Sequence, residues 1–269
     1  MGKLLFLGTG ASMGIPVIGC GCAVCQSPSS FNRRTRPSVL IKTQLNKQLI
    51  IDVGPDFRLQ ALQHKISRLD GVLFTHAHHD HTAGIDDLRP IYYNRSSPLP
   101  ILLSKVTAED IQMRYHYLFG AIQGDKNFIP RLHLQLLPDQ IEGRVHFEGL
   151  TIGYVTYEQG GMAVNGFRMG DLAYLSDIRH FPETIFSRLK GVKTLIISAL
   201  RYTPSLLHFS IDEAVDFAER AGAESVWLTH ISHELEHEKV NAYLSSHVKL
   251  AYDGLELDFN ELRNNSYDE

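Results

Sequence analysis

The segment THAHHDHTAG, residues 75–84, constrains this chain more than any other stretch of it. It follows directly on LDGVLFT (69–75), a nearly continuous apolar run of the kind that a strand buried on both faces requires. A fold that accommodates both must bring a histidine-rich loop to the end of a buried strand, where side chains from several strand ends can converge. His76 and His78 share parity and can grip one ion, while Asp80 and His81 follow the turn and can address a second. Imidazole nitrogen and carboxylate oxygen suit Zn²⁺, Mn²⁺ or Fe²⁺. His79 falls outside this spacing and is expected behind the ligands or in solvent.

Two further strand ends carry the same chemistry. Asp177 closes AYLSD and can bridge two ions, and His230 closes SVWLTH. His208 immediately precedes SIDEAVDFAERAG, where Ser210 and Glu213 make a capping box and Gly222 marks the stop. A histidine at a helix entrance suits anion recognition. Near the start, Cys20, Cys22 and Cys25 form an odd, clustered set that fits metal ligation better than a disulfide framework.

The remaining pattern alternates strands with helices. Strand-like runs fall at 3–7, 38–43, 48–53, 101–104, 145–157, 165–169, 172–175, 192–200 and in the closing YDGLELDF. Helical spacing falls at 57–65, 107–119, 182–190, 210–222 and 237–247, with Thr107 and Asp110 as a capping signal for the second of these. Such alternation predicts an α/β chain whose sheets are covered by helices on their outer faces, in one domain over residues 1–269, with a frayed NNSYDE at its end.

Charge narrows the partners. Lys plus Arg is 26 against 30 for Asp plus Glu, a net charge of −4, so nothing draws the chain generally to nucleic acid or anionic membrane. The one compact basic run, Arg33, Arg34 and Arg36, reads as a solvated loop or a local phosphate holder. No apolar run approaches the ~18 residues of a membrane span. Gly8 and Gly10 break MGKLLFLGTG early, so it reads as a first strand rather than a signal peptide, and the cytoplasm is expected.

Taken together, GTGASMG, IIDVG, THAHHDH, LSD and LTHISH resemble the metallo-β-lactamase fold superfamily over essentially the whole chain. That resemblance implies a four-layer αββα sandwich. Within the superfamily, CGCAVC (20–25) with LTHISH is similar to the phosphoribosyl 1,2-cyclic phosphate phosphodiesterases of bacterial phosphonate breakdown. The resemblance implies a structural zinc on Cys20, Cys22, Cys25 and His233, and one or two Zn or Mn ions held by His76, His78, Asp80, His81, Asp177 and His230. It further implies that Asp80 orients the attacking hydroxide, that His208 contacts phosphate or protonates the leaving oxygen, and that the chain forms a homodimer. Arg201 is a weaker phosphate-binding candidate, and His237 is expected to face solvent or support the site from a helix.

Two positions depart from the pattern. Where such proteins supply a histidine before the GYR-like strand, this chain has Gln159, a neutral and weaker ligand, with Glu158 beside it. The first ion's place is then weakened, exchangeable or empty, while the second, on Asp80, His81, Asp177 and His230, is complete. Ser198 stands where relatives often carry an aspartate. The expected function is a metal-dependent hydrolase, a phosphodiesterase acting on a small or cyclic phosphate ester. The alternatives are a carboxylic ester, thioester or lactam hydrolase of the same fold, and a binding protein whose first metal site has decayed. A tRNA-processing nuclease would need an RNA-gripping arm and a basic surface, neither of which is evident.

Overall fold

The run KLLFL becomes the body of the first strand, β1 (Gly2–Gly8). Successive side chains of a strand point to opposite faces, yet Leu4, Leu5, Phe6 and Leu7 are all buried. Leu4 and Phe6 join one apolar cluster and Leu5 and Leu7 another. Both faces of this sheet are therefore covered, and the continuous apolar runs of the sequence have that cause.

The protein, a computed structural model describing residues 1–119 and 131–261, builds two seven-stranded sheets. The segment NNSYDE lies outside the described residues. The first half runs β1, β2 (Ser38–Lys42), β3 (Gln48–Ile51), α1 (Phe57–Gln63), β4 (Gly71–Leu73), α2 (His79–Thr82), α3 (Arg89–Tyr93), β5 (Leu99–Leu103), α4 (Lys105–Arg114), α5 (His116–Phe119) and β6 (Leu132–Leu136). The second runs β7 (Glu142–Phe147), β8 (Leu150–Gln159), β9 (Met162–Met169), β10 (Leu172–Leu175), α6 (Ile185–Leu189), β11 (Thr194–Ser198), α7 (Ile211–Ala221), β12 (Ser225–Thr229), α8 (His237–Tyr243) and β13 (Val248–Leu250). The last strand, β14 (Glu256–Phe259), returns to pair with β1.

The sheet orders are β14-β1-β2-β3-β4-β5-β6 and β13-β12-β11-β10-β9-β8-β7. Each sheet is antiparallel on one side and parallel on the other, with β3 to β6 parallel in the first and β10 to β13 parallel in the second. Between the sheets lies one core, with Phe6, Ile41 and Ile51 meeting Ile152, Phe167 and Tyr174. Outside the first sheet, Phe57, Leu88 and Ile111 pack on Leu5, Val72 and Ile101; outside the second, Phe217, Ala218 and Val240 pack on Leu195, Leu228 and Val248. This is the helix–sheet–sheet–helix sandwich of the metallo-β-lactamase fold.

Several local expectations shift. Helix α4 begins at Lys105, not Thr107, because Ser104 is its cap and takes the Thr107 N–H on its hydroxyl at 3.3 Å. It ends at Arg114, and the expected helix at 237–247 stops at Tyr243, leaving Val248–Leu250 as an edge strand. The run 145–157 is the greater part of a hairpin, β7 and β8. Arg34, expected in a solvated loop, is 1% exposed and donates to the Ala251 carbonyl at 2.6 Å. His237 is likewise buried, stacked on Phe31 with its Nδ1 3.2 Å from Arg34 Nη2. Ser210 and Glu213 do form the capping box of α7, and Gly222 ends that helix at φ +67°.

Candidate metal centre

In open α/β sheets, ligand sites gather outside the carboxyl ends of parallel strands. Here Asp52 follows β3, the THAHHDH loop follows β4, Asp177 follows β10 and His230 follows β12. Asp52, Asp177 and His230 all hold positive φ, at 63°, 53° and 57°. This left-handed backbone is uncommon outside glycine and tends to cluster where a site over-determines the chain. The turns bring Asp177 and His230 to the gap between the two sheets' ends and set Asp52 behind it, against His81 and Thr75.

His76, His81, Asp177 and His230 are at most 1% exposed, and Asp80 is 7% exposed. His76, His81 and Asp177 present ligand atoms within 4.8 Å of one another, as do Asp80, His81 and His230. The Asp177 carboxylate lies between the two groups. Its Oδ2 is 3.6 Å from both His76 Nε2 and His81 Nε2, and its Oδ1 is 3.3 Å from His230 Nε2. Asp80 Oδ2 is 3.4 Å from both His81 Nε2 and His230 Nε2. His78, half-buried, brings Nδ1 to 2.9 Å from His76 Nε2. His79 points outward and is exposed.

The inner partners fix which nitrogens face the gap. Asp52 Oδ2 lies 2.7 Å from His81 Nδ1, and its two oxygens also accept the Thr75 N–H and hydroxyl, each at 2.8 Å. Thr75 Oγ1 in turn sits 2.9 Å from His76 Nδ1. Both rings therefore spend Nδ1–H inward and turn Nε2 to the gap, the arrangement seen for metal-bound imidazoles. Asp52 escaped the residue-by-residue reading, because one aspartate in IIDVG gains its role only from His81 and Thr75.

Electrostatics agree with a cation site. Burial raises the Asp177 carboxyl, but His230, His81 and His76 outweigh it and hold the group well below the usual carboxylate range. Burial acts against charge on His81 too, yet Asp80, Asp177 and Asp52 together push its pKa well above the ordinary value. Burial dominates at His76 and lowers it well below the ordinary value. Among the described residues, His81 Nε2 and Gln159 Oε1 are buried without a hydrogen-bond partner. Orphaned buried polar atoms cost on the order of 1–3 kcal/mol each. The residues present, imidazole and carboxylate with an orphaned ring nitrogen, fit one or two divalent ions.

Gln159, 4% exposed at the end of β8, enters this gap from the side. Its amide nitrogen is 3.4 Å from Asp177 Oδ2 and 2.9 Å from His208 Nε2. His208, half-buried, stacks on His230 with ring centroids 4.9 Å apart, and burial lowers its pKa to about 4. Glu158 is exposed and accepts the Gly161 N–H, so it points away from the gap. Ser198 Oγ accepts the Ile178 N–H at 3.3 Å, bracing the turn that carries Asp177. Arg201 sits farther along, its backbone paired with Ser210.

A second cluster lies in the loop after β1. His233 Nδ1 is 3.3, 3.5 and 3.7 Å from the sulfurs of Cys20, Cys22 and Cys25. The Cys25 N–H and His233 bring the Cys22 thiol down to about 6, while burial pushes Cys25 up to about 11. Three sulfurs and one imidazole nitrogen within 4.8 Å of one another make a closed set of the structural-zinc type. Among the described residues no helix is long and apolar enough to cross a membrane.

Comparison with known proteins extends over the same region. The profile of the beta-lactamase superfamily domain matches residues 47–231. A solved diphosphatase of the PhnP family is 34% identical, with a TM-score of 0.89, covering 97% of this chain and 99% of that one. The octanoyltransferase of Porphyromonas gingivalis is 35% identical over 260 residues, 94% of this chain and 51% of that protein. The chain thus spans about half the length of that curated relative. The zinc-bound PqqB of Methylobacterium extorquens shares the fold, with a TM-score of 0.75 at 17% identity over 96% of this chain and 100% of that one.

Proposed function

This chain belongs to the metallo-β-lactamase superfamily, and on that premise we propose that it is a metal-dependent phosphodiesterase acting on a small or cyclic phosphate ester. The observation that carries the reading is Asp177, whose two oxygens face different imidazoles, so that one carboxylate could serve two neighbouring cation positions. His76, His78 and Asp177 would hold the first ion, with Gln159 at its side; Asp80, His81, Asp177 and His230 would hold the second. Bound there, divalent ions supply a water of lowered pKa and charge neutralisation for phosphoryl oxygens.

The chain's own residues do the rest. Asp80 touches the gap with one carboxylate oxygen and can hold the attacking water's proton in place. The Gln159 amide nitrogen lies 2.9 Å from His208 Nε2 and 3.4 Å from its Nδ1, so the amide holds the ring at the edge of the gap. A neutral imidazole at the half-buried edge of the site suits donation of a hydrogen bond to a phosphoryl oxygen, the leaving oxygen included, as charge develops there. Asp52 and Thr75 keep His81 and His76 oriented throughout. The likeness to a PhnP-family diphosphatase supports phosphate ester over carboxylic ester as substrate. A structural zinc on Cys20, Cys22, Cys25 and His233 would tie the loop after β1 to the loop after β12, and so steady His230.

The test is a panel of bis(p-nitrophenyl) phosphate, a ribose cyclic phosphate, an octanoyl thioester and an aryl carboxylate, offered to metal-loaded protein. Hydrolysis of a phosphodiester, lost in Asp80→Ala, supports the reading. Turnover confined to the thioester or carboxylate overturns it.

A further inference from the structure

The contact between Gln159 and His208 joins two segments whose neighbouring residues also meet. Strand β8 ends at Gln159 and turns back into β9 through Gly160 and Gly161, which hold φ at +56° and +84°. A Cβ at residue 160 would stand 2.7 Å from Leu207 Cδ2, so Leu207 closes on this turn only because residue 160 has no side chain. Leu207 immediately precedes His208, whose Nε2 is 2.9 Å from the Gln159 amide nitrogen. The Leu207 side chain therefore stands at the edge of the candidate metal centre, on the side of Gln159 and His208.

The loop that carries it is fixed. Ser205 Oγ accepts the His208 N–H at 3.0 Å and the Leu207 N–H at 3.4 Å, and it donates to the His208 carbonyl at 3.0 Å. This turn leaves Leu206 86% exposed and Leu207 50% exposed, beside a buried polar site. The stretch YTPSLLHF, 202–209, has no acidic or basic side chain apart from His208. It offers an incoming molecule apolar contact and no ion pair. Apolar surface left in water at the mouth of a site gains by being covered when the site fills.

We propose that Leu207, with Leu206 beside it, sets the specificity of this site for a phosphate ester that carries an aromatic group, the ring lying on the leucines while the phosphate occupies the metal centre. The occupant is the substrate's own organic part, because the leucines and the centre share the Gln159–His208 contact. The place of the phosphate rests on the phosphodiesterase reading; the preference for a ring does not depend on which ester bond is cut.

Calorimetric titration of the metal-loaded chain with phenylphosphonate and methylphosphonate tests this, since the two share a head group and have no ester bond to hydrolyse. The parent should bind phenylphosphonate at least about tenfold more tightly, the lower end of what apolar contact discriminates. Leu207→Ser should bring the two ligands to within about twofold, with methylphosphonate affinity and metal content unchanged. Leu62→Ser, at an exposed leucine of α1 outside the first sheet, should keep the parent's preference. Equal affinities in the parent, binding of neither ligand, a preference that Leu207→Ser leaves intact, or one that Leu62→Ser also abolishes overturns the proposal. A Leu207-dependent preference in a protein that hydrolyses no phosphodiester would overturn the phosphodiesterase reading and leave the role of Leu207 standing.

Discussion

Asp52 Oδ2 stands 2.7 Å from Nδ1 of His81, with both side chains wholly out of solvent. The carboxylate also takes two hydrogen bonds from Thr75 and is therefore fixed before any ion arrives. Its effect is to present His81 Nε2, otherwise unpartnered, to the gap. Asp52→Ala should lower the affinity of the resident ion by about 10–100-fold, as loss of a ligand's supporting partner generally does. Metal content after dialysis against graded chelator checks this; retention equal to the parent's would remove Asp52 from the site.

Gln159 places a neutral amide where an imidazole would complete a nitrogen-rich set around His76, His78 and Asp177. Its Oε1 has no partner among the described residues, and its nitrogen is engaged with Asp177 and His208. Gln159→His should therefore raise metal binding at this position at least about tenfold, since imidazole is the better zinc ligand. Titration of Zn²⁺ into stripped protein would show a further tight equivalent in the variant. An unchanged stoichiometry and affinity would mean that residue 159 does not reach the ion.

His208→Ala tests the edge of the site. His208 stacks on His230 but makes no hydrogen bond to Asp80 or Asp177. The expected result is a kcat lower by about 10²–10⁴ on a phosphodiester, with metal content retained. Loss of metal instead would assign His208 as a ligand.

How far the sequence foretold this arrangement depends on the kind of signal. Sheets covered on both faces were legible because β1, β2, β4 and β11 are apolar on both faces, while the four-layer sandwich came from the family resemblance. His76, His78, Asp80 and His81 stood out because metal chemistry concentrates them in one loop. Asp52 and Arg34 were not legible, since a lone aspartate in IIDVG and one arginine in NRRTR gain meaning only from partners distant in the chain, His81 and Ala251. Helix ends were missed for a local reason: Ser104 and Thr107 are both capping residues, and only the backbone path chooses between them.

The cysteine cluster should be separable from the reaction centre. A metal held at a hundredfold over its dissociation constant stabilises the fold by about 2.7 kcal/mol. Cys25→Ser should therefore lower Tm by several degrees and release one zinc equivalent, roughly 2–4 °C being expected per kcal/mol in a chain of this size. Zinc analysis beside a thermal melt checks both. Unchanged zinc content would show that no ion resides on Cys20, Cys22, Cys25 and His233.

The buried pair of Arg34 and His237 predicts a pH dependence of stability. Burial first, and the Arg34 charge second, lower His237 to about 4 from an ordinary value near 6.5. The folded state thus keeps this ring neutral where the unfolded chain already binds a proton. Stability from His237 is complete above about pH 6.5 and is lost as pH falls toward 4, because over that interval the unfolded state binds more protons. The shift corresponds to at most about 3 kcal/mol. Urea unfolding of the parent at pH 7, 6, 5 and 4, beside His237→Gln, should show a steeper acid-side decline in the parent whatever the variant's baseline. Parallel curves would mean that His237 titrates normally in the fold, and that its contact with Arg34 does not exclude the proton.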